Sequence, residues 1–206
     1  MLKRNVIKIV LGIIIILSIG LVFIINNYEE SITEEEQIEE YITETSTSNT
    51  TSKKTTERIT SKLKIITTKK QEYLFVLEIP KINLKKGIYN INDKNNNVDK
   101  NIQILSSSNL PTDNNHNIIL ASHNGNTKVS YFKDLEMLSN DDLVYIYYKG
   151  IKYTYKVYKN EIVNKIGSIK ITKKSNVSNL ILISCKNGTN DKQIVYISKL
   201  INKEEY

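Results

Sequence analysis

Leu143-Val144-Tyr145-Ile146-Tyr147-Tyr148, then Lys149-Gly150, then Ile151-Lys152-Tyr153-Thr154-Tyr155-Lys156-Val157-Tyr158 is the stretch that decides the fold. Two arms rich in β-branched and aromatic residues, separated by two turn residues, read as a β-hairpin. In the second arm Ile151, Tyr153, Tyr155 and Val157 fall on one face, with Lys152, Thr154 and Lys156 opposite. That period of two marks a half-buried strand.

Working outward, Tyr73 to Ile79 predicts a strand that ends at Pro80, and Asn117 to Ser122 predicts another. Leu180 to Ser184 and Gln193 to Ile197 complete the set. Only Val129 to Leu138, which holds Phe132, Leu135 and Leu138, predicts a short helix. Many short strands with turn signals between them imply an all-β sandwich or closed barrel. Residues 71–206, about 135 in number, suffice for one domain with one core.

The N-terminal part has another character. Ile9 to Ile25 is seventeen residues without a charge, and Lys8 beside it can reach lipid headgroups with its long stem. At about 1.5 Å rise per residue the run just crosses a hydrocarbon layer as a helix. Lys3, Arg4 and Lys8 precede it, whereas glutamates follow it with no Lys or Arg before Lys53. This asymmetry predicts a cytoplasmic N-terminus and an extracellular remainder. A cleaved signal peptide is the competing reading, but the run ends in Ile-Ile-Asn-Asn-Tyr-Glu-Glu without a small-residue cleavage site. Residues 1–26 are therefore expected to form a cytoplasmic stub and transmembrane anchor. Residues 27–70, rich in Glu, Thr, Ser and Lys, are expected to be a disordered extracellular linker with at most a short helix in the glutamate block.

The net charge of +7 comes from lysines scattered among Asn and Ile, with no arginine-rich or aromatic-interleaved cluster. It reads as a solvated surface suited to an anionic cell wall, and nucleic acid is not an expected partner. One cysteine excludes an intramolecular disulfide.

That cysteine, Cys185, closes the apolar run Leu180-Ile181-Leu182-Ile183-Ser184. Asn117-Ile118-Ile119-Leu120-Ala121-Ser122 delivers His123 in the same way, before Asn124-Gly125-Asn126. A thiol and an imidazole, each where a strand meets a loop, are what acyl transfer by a thiolate needs. Such partners meet in space, not in sequence. Taken singly, a cysteine ending a buried strand is ordinarily a small hydrophobe, and a histidine after a strand a hydrogen-bonded loop residue. His116, in the turn-rich Pro111-Thr112-Asp113-Asn114-Asn115, reads as a solvated loop residue. Two histidines and one cysteine offer no metal-ligand spacing, so neither a metal nor another cofactor is expected.

Five segments, in order, resemble the sortases, membrane-anchored cysteine transpeptidases of Gram-positive bacteria. Leu77-Glu78-Ile79-Pro80-Lys81 resembles the family's opening L-x-I-P-K segment, and Gly87-Ile88-Tyr89 the residues next in the family's order. Asn117 to His123 resembles the strand that ends in the family's histidine. Tyr131-Phe132-Lys133-Asp134-Leu135 with Asn140-Asp141-Asp142 resembles the F-x-x-L and G-D segment, and Ile181-Leu182-Ile183-Ser184-Cys185 the T-L-x-T-C strand. The resemblance implies a closed eight-stranded sortase-like β-barrel with short helices, preceded by one transmembrane helix and a flexible linker. It implies cleavage of an LPxTG-like sorting signal near the C-terminus of secreted proteins. The acyl group passes to Cys185 and then to an amine of the cell wall or of a protein lysine.

Under that resemblance Cys185 is the nucleophile and His123 the proton-transfer partner. The family's arginine position holds Lys192, two residues before Ile194-Val195, and no arginine follows Arg58. Lysine carries the charge without the bidentate fork of a guanidinium; either Lys192 serves the oxyanion, or Gln193 donates instead. Ile181 replaces the first threonine of T-L-x-T-C, whereas Ser184 keeps a hydroxyl at the second. The ending Lys203-Glu204-Glu205-Tyr206 lacks the second membrane helix of many pilus-building members, which points to anchoring instead of pilin polymerisation. Two other functions fit the same residues: a cell-surface cysteine peptidase that hydrolyses, and a non-catalytic barrel that binds sorting signals or wall polymers.

Overall fold

The computed structural model describes residues 2–47, 73–165 and 177–206, with side chains in the N-terminal helix described at 12–26 and 32–46. Contacts divide the chain into two units, residues 1–40 and 41–206. The helix α1 (Leu2–Thr47) runs far beyond the expected boundary at residue 26. No Gly or Pro lies between Leu21 and Thr47, and Glu, Gln and Ile fill the stretch, so nothing local stops the helix. The segment expected as disordered linker is thus helical over 27–47, and its remainder lies outside the described residues. Within the second unit, Tyr41 donates to the Leu74 carbonyl at 2.9 Å and Thr45 Oγ1 lies 2.6 Å from the Tyr206 hydroxyl. The apolar side chains from Ile13 to Ile25 are exposed. Among the described residues no helix is long and apolar enough to cross a membrane.

Eight strands form one curled sheet: β1 (Phe75–Ile79), β2 (Leu84–Ile88), β3 (Gln103–Ile104), β4 (Asn117–Ala121), β5 (Leu143–Tyr148), β6 (Ile151–Asn164), β7 (Asn179–Cys185) and β8 (Lys192–Glu205). Their spatial order is β2-β1-β5-β6-β8-β7-β4-β3. Every neighbouring pair is antiparallel except β4 and β7, which run parallel. The expected closed barrel is nearly closed instead. Strand β3 has only two residues and does not pair with β2, so a seam remains. Asn101, 2% exposed, spans it: its amide donates to the Gly87 carbonyl at 2.8 Å while its side-chain oxygen accepts from the Ile102 N–H at 2.8 Å. Gly87 is required there, because a Cβ would sit 2.4 Å from the Tyr73 ring.

The hairpin forms as expected, with Lys149 and Gly150 both at positive φ (51° and 75°). That is the type I′ turn whose twist suits the flanking strands. Tyr148, Tyr153, Tyr155 and Val157 enter the main core with Phe75, Leu77, Ile118, Leu120, Leu180 and Leu182. Each such burial is worth about 1.5–3 kcal/mol relative to exposure.

The opposite face of β4, β7 and β8 carries a second apolar cluster, Ile119, Ile181, Ile183, Val195 and Ile197. Burial on both faces explains why these strands read as continuous apolar runs without alternation.

The helix expected over 129–138 is a chain of tight turns ending in the 3₁₀ turn Leu135–Met137. Backbone bonds run from Lys133 to Ser130, Leu135 to Phe132, Met137 to Asp134 and Leu138 to Leu135, each three residues back. Phe132, Leu135 and Leu138 recur every third position, the period of a 3₁₀ helix and not of an α-helix.

Candidate active site

The parallel β4–β7 ladder sets the site. Ala121 stands opposite Ile183, so His123 and Cys185 each lie two residues beyond the same rung. Side-chain and backbone bonds tie the two strand ends together: Ser184 Oγ donates to the Ser122 carbonyl at 2.9 Å, and the Ser122 N–H to the Ile183 carbonyl at 3.3 Å. Beyond them, Asn124 Nδ2 donates to the Cys185 carbonyl at 3.0 Å, and the Phe132 N–H to the His123 carbonyl at 3.2 Å. The backbones carrying imidazole and thiol are therefore fixed against each other. Asn124 was legible in the sequence only as a turn residue.

Cys185 is a free, partly exposed thiol. Strand alternation puts it on the face of Ile181 and Ile183, outside the main core, at the end of the second apolar cluster. Across β8 it stands opposite Gln193. His123 Nε2 lies 2.9 Å from Asp99 Oδ1, in the loop between β2 and β3, with side chains 41% and 76% exposed. A pair so open to solvent contributes about 1 kcal/mol at most.

Two cations, Lys192 and Lys165, lie at these strand ends. Lys192 forms a cross-strand pair with Asn164, and its ammonium donates to Asn164 Oδ1 at 3.0 Å. Lys165, the next residue along, points the other way and reaches Cys185 Sγ at 3.7 Å. No local signal in the sequence singles out Lys165.

The turn after Cys185 has its own anchor, also missed. Glu136, in the 3₁₀ turn, pairs with the Lys186 ammonium and accepts from the Asn187 N–H at 2.8 Å. Burial pushes the Glu136 carboxyl up, but the Lys186 and Asn187 hydrogen bonds outweigh it and hold the group below its usual range.

Ile181, where the resemblance had a threonine, is fully buried in the second cluster. His116 corrects an expectation. Far from solvated, it is 0% exposed, with Nδ1 2.9 Å from the Asp113 carbonyl and Nε2 2.6 Å from the Tyr155 hydroxyl. An open pocket of about 500 Å³ lies between the Ile82–Leu84 turn and residues Thr127 to Asp134, on the loop that follows His123. Among the described residues no group of three or more His, Cys, Asp or Glu could hold a metal ion.

A model of the sortase domain matches residues 77–200, more than half of the chain. The chain belongs to the sortase family. This sortase matches no curated protein at a significant level. Its fold is shared with sortase C-1 of Actinomyces oris, at 21% identity and a TM-score of 0.56 over 62% of this chain and 71% of that one. Streptococcus agalactiae sortase C1, crystallised with MTSET, gives 21% and 0.58 over 66% and 72%. Listeria monocytogenes sortase A gives 18% and 0.54 over 65% and 90%. Family membership makes the protein a sortase-type transpeptidase.

Proposed function

We propose that this sortase cleaves an LPxTG-like sorting signal of secreted proteins through a Cys185 acyl-enzyme and passes the acyl group to an amine of the cell wall. The observation that carries the reading is the shared rung of the parallel ladder, which leaves His123 and Cys185 at matching strand ends joined by Asn124. The thiolate attacks the scissile carbonyl carbon; the carbon–sulfur bond forms and the carbonyl electrons move to oxygen. Collapse breaks the carbon–nitrogen bond, and the leaving amine takes a proton from the His123 imidazolium. An incoming amine then attacks the thioester, gives its surplus proton to His123, and the thiolate departs.

Ile9 to Ile25 supports a single-pass anchor with the N-terminus cytoplasmic and the barrel outside.

The test incubates the full chain with a panel of sorting-motif peptides, with and without an added amine, and reads the products by mass spectrometry. The reading expects an adduct on Cys185, an amide product that requires the amine, and no turnover by Cys185→Ala. Hydrolysis unaffected by the amine would make the protein a peptidase, and peptide binding without an adduct a non-catalytic barrel.

A further inference from the structure

Resting on the reading of Cys185 as nucleophile, we propose that Lys165 is the catalytic cation of this site. Its ammonium, not that of Lys192, is the counter-ion of the sulfur. Three observations meet here. The Lys165 ammonium lies 3.7 Å from Cys185 Sγ. Its backbone is held at the end of β6, because the Lys165 N–H donates to the Asp191 carbonyl at 2.7 Å and so prolongs the β6–β8 ladder by one rung. Finally, register decides which cation faces the thiol.

Three strands share that register. Cys185 stands opposite Gln193, and Gln193 opposite Val163, so these three side chains lie on one face. Lys192 and Asn164 are each one residue away along their strands, and alternate side chains point to opposite faces. Their mutual hydrogen bond at 3.0 Å agrees with that placement. Lys165, one residue past Asn164, returns to the face of the thiol. Lys192 is thus directed away from the sulfur by the pleat that brings Lys165 to it.

Chemically, a lysine here acts as a point charge. In the resting enzyme it stands beside the sulfur. When the carbon–sulfur bond forms, the negative charge moves from sulfur to the carbonyl oxygen, and a flexible four-carbon stem lets the ammonium follow without losing its proton. When the thioester is aminolysed, the charge returns to sulfur. A guanidinium can fill the same role with a more rigid geometry, so Lys165→Arg preserves function where Lys165→Met, of similar length and no charge, does not.

The experiment compares the full chain with its Lys165→Met, Lys165→Arg and Lys192→Met variants, each checked for an unchanged thermal midpoint. The first arm is alkylation of Cys185 by iodoacetamide at pH 7 and low salt, which needs no peptide. Removing one charge at this distance in a water-like medium slows thiolate alkylation about five- to tenfold, and the difference shrinks at high salt. The second arm is acyl-enzyme formation, where loss of an oxyanion partner costs about 100- to 1000-fold. Lys165→Met is expected to lose more than Lys192→Met in both arms, and Lys165→Arg to stay near wild type. Lys165→Met alkylating as fast as wild type, or Lys192→Met losing more, overturns the assignment. A wild type that acylates no peptide refutes the proposed transpeptidation, and the alkylation order still decides the place of Lys165.

Discussion

Replacing Tyr155 by Phe removes one oxygen from the centre of the barrel and tests how its polar interior is held. Tyr155 and His116 are both 0% exposed, and the Tyr155 hydroxyl lies 2.6 Å from His116 Nε2. The other ring nitrogen, Nδ1, is 2.9 Å from the Asp113 carbonyl, which can only accept. The proton therefore sits on Nδ1, and Nε2 accepts from the tyrosine. Phenylalanine keeps the ring in place but leaves a buried acceptor unpaired, at a cost of about 1–3 kcal/mol. For a domain of this size that lowers the thermal midpoint by roughly 3–10 °C.

The same burial makes stability depend on pH. Desolvation holds the His116 pKa below its usual range; the Asp113 carbonyl opposes this, and the Lys203 ammonium reinforces it. An unfolded chain regains the ordinary value near 6.5, so below that pH it binds a proton that the folded state refuses. Stability is fully present above about 6.5 and declines as pH falls, with a limiting slope of about 1.4 kcal/mol per pH unit. Urea unfolding of wild type and Tyr155→Phe at pH 7.5 and 5.5 measures both effects. A variant as stable as wild type at pH 7.5, or a wild type equally stable at both pH values, refutes the reasoning.

Two further perturbations probe contacts at the barrel seam and beside the thiol. Gly87→Ala places a methyl 2.4–2.5 Å from three atoms of the Tyr73 ring, itself packed on Tyr89 at 5.2 Å, and overpacking of this kind costs about 1–3 kcal/mol. In a Tyr73→Ala background the alanine is expected to be tolerated, so a double-mutant cycle that came out additive would count against the clash. Glu136→Gln weakens the clamp on Lys186 and Asn187, the turn that follows Cys185. Because the carboxyl is held below its usual range, its contribution of about 1 kcal/mol is present above the ordinary glutamate value and is lost as pH falls through the folded one. Chemical unfolding at pH 7 and pH 3 should separate the variant from wild type only at the higher pH.

How much of the fold is legible in the sequence depends on where the information lies. The hairpin was legible because alternation, β-propensity and a two-residue turn are all local to 143–158. Strand β2, Leu84-Lys85-Lys86-Gly87-Ile88, carries no clean alternation. Its Lys86 is 8% exposed, with the ammonium 4.3 Å above the Tyr131 ring, a contact made by a residue forty-odd positions away. Strand β3 exists only through its two rungs with β4. The end of β8, Asn202-Lys203-Glu204-Glu205, has poor strand propensity and is extended because β6 offers partners from Ile151 to Thr154. In each of these the tertiary ladder, not the local sequence, settles the conformation.

The site divides along the same line. Cys185 and His123 stand out because each follows an apolar run, and a strand end is a local property. A cation on a strand is different, since its usefulness depends on which face it occupies, and a shift of one residue exchanges the faces. The resemblance transfers a position along the chain, and it transferred Lys192. Lys165 lies just past the end of another strand, and only the joint register of β6, β8 and β7 brings it to the sulfur. Lys165, just past the end of β6, thus brings to the thiol a charge that β8 read alone does not place there.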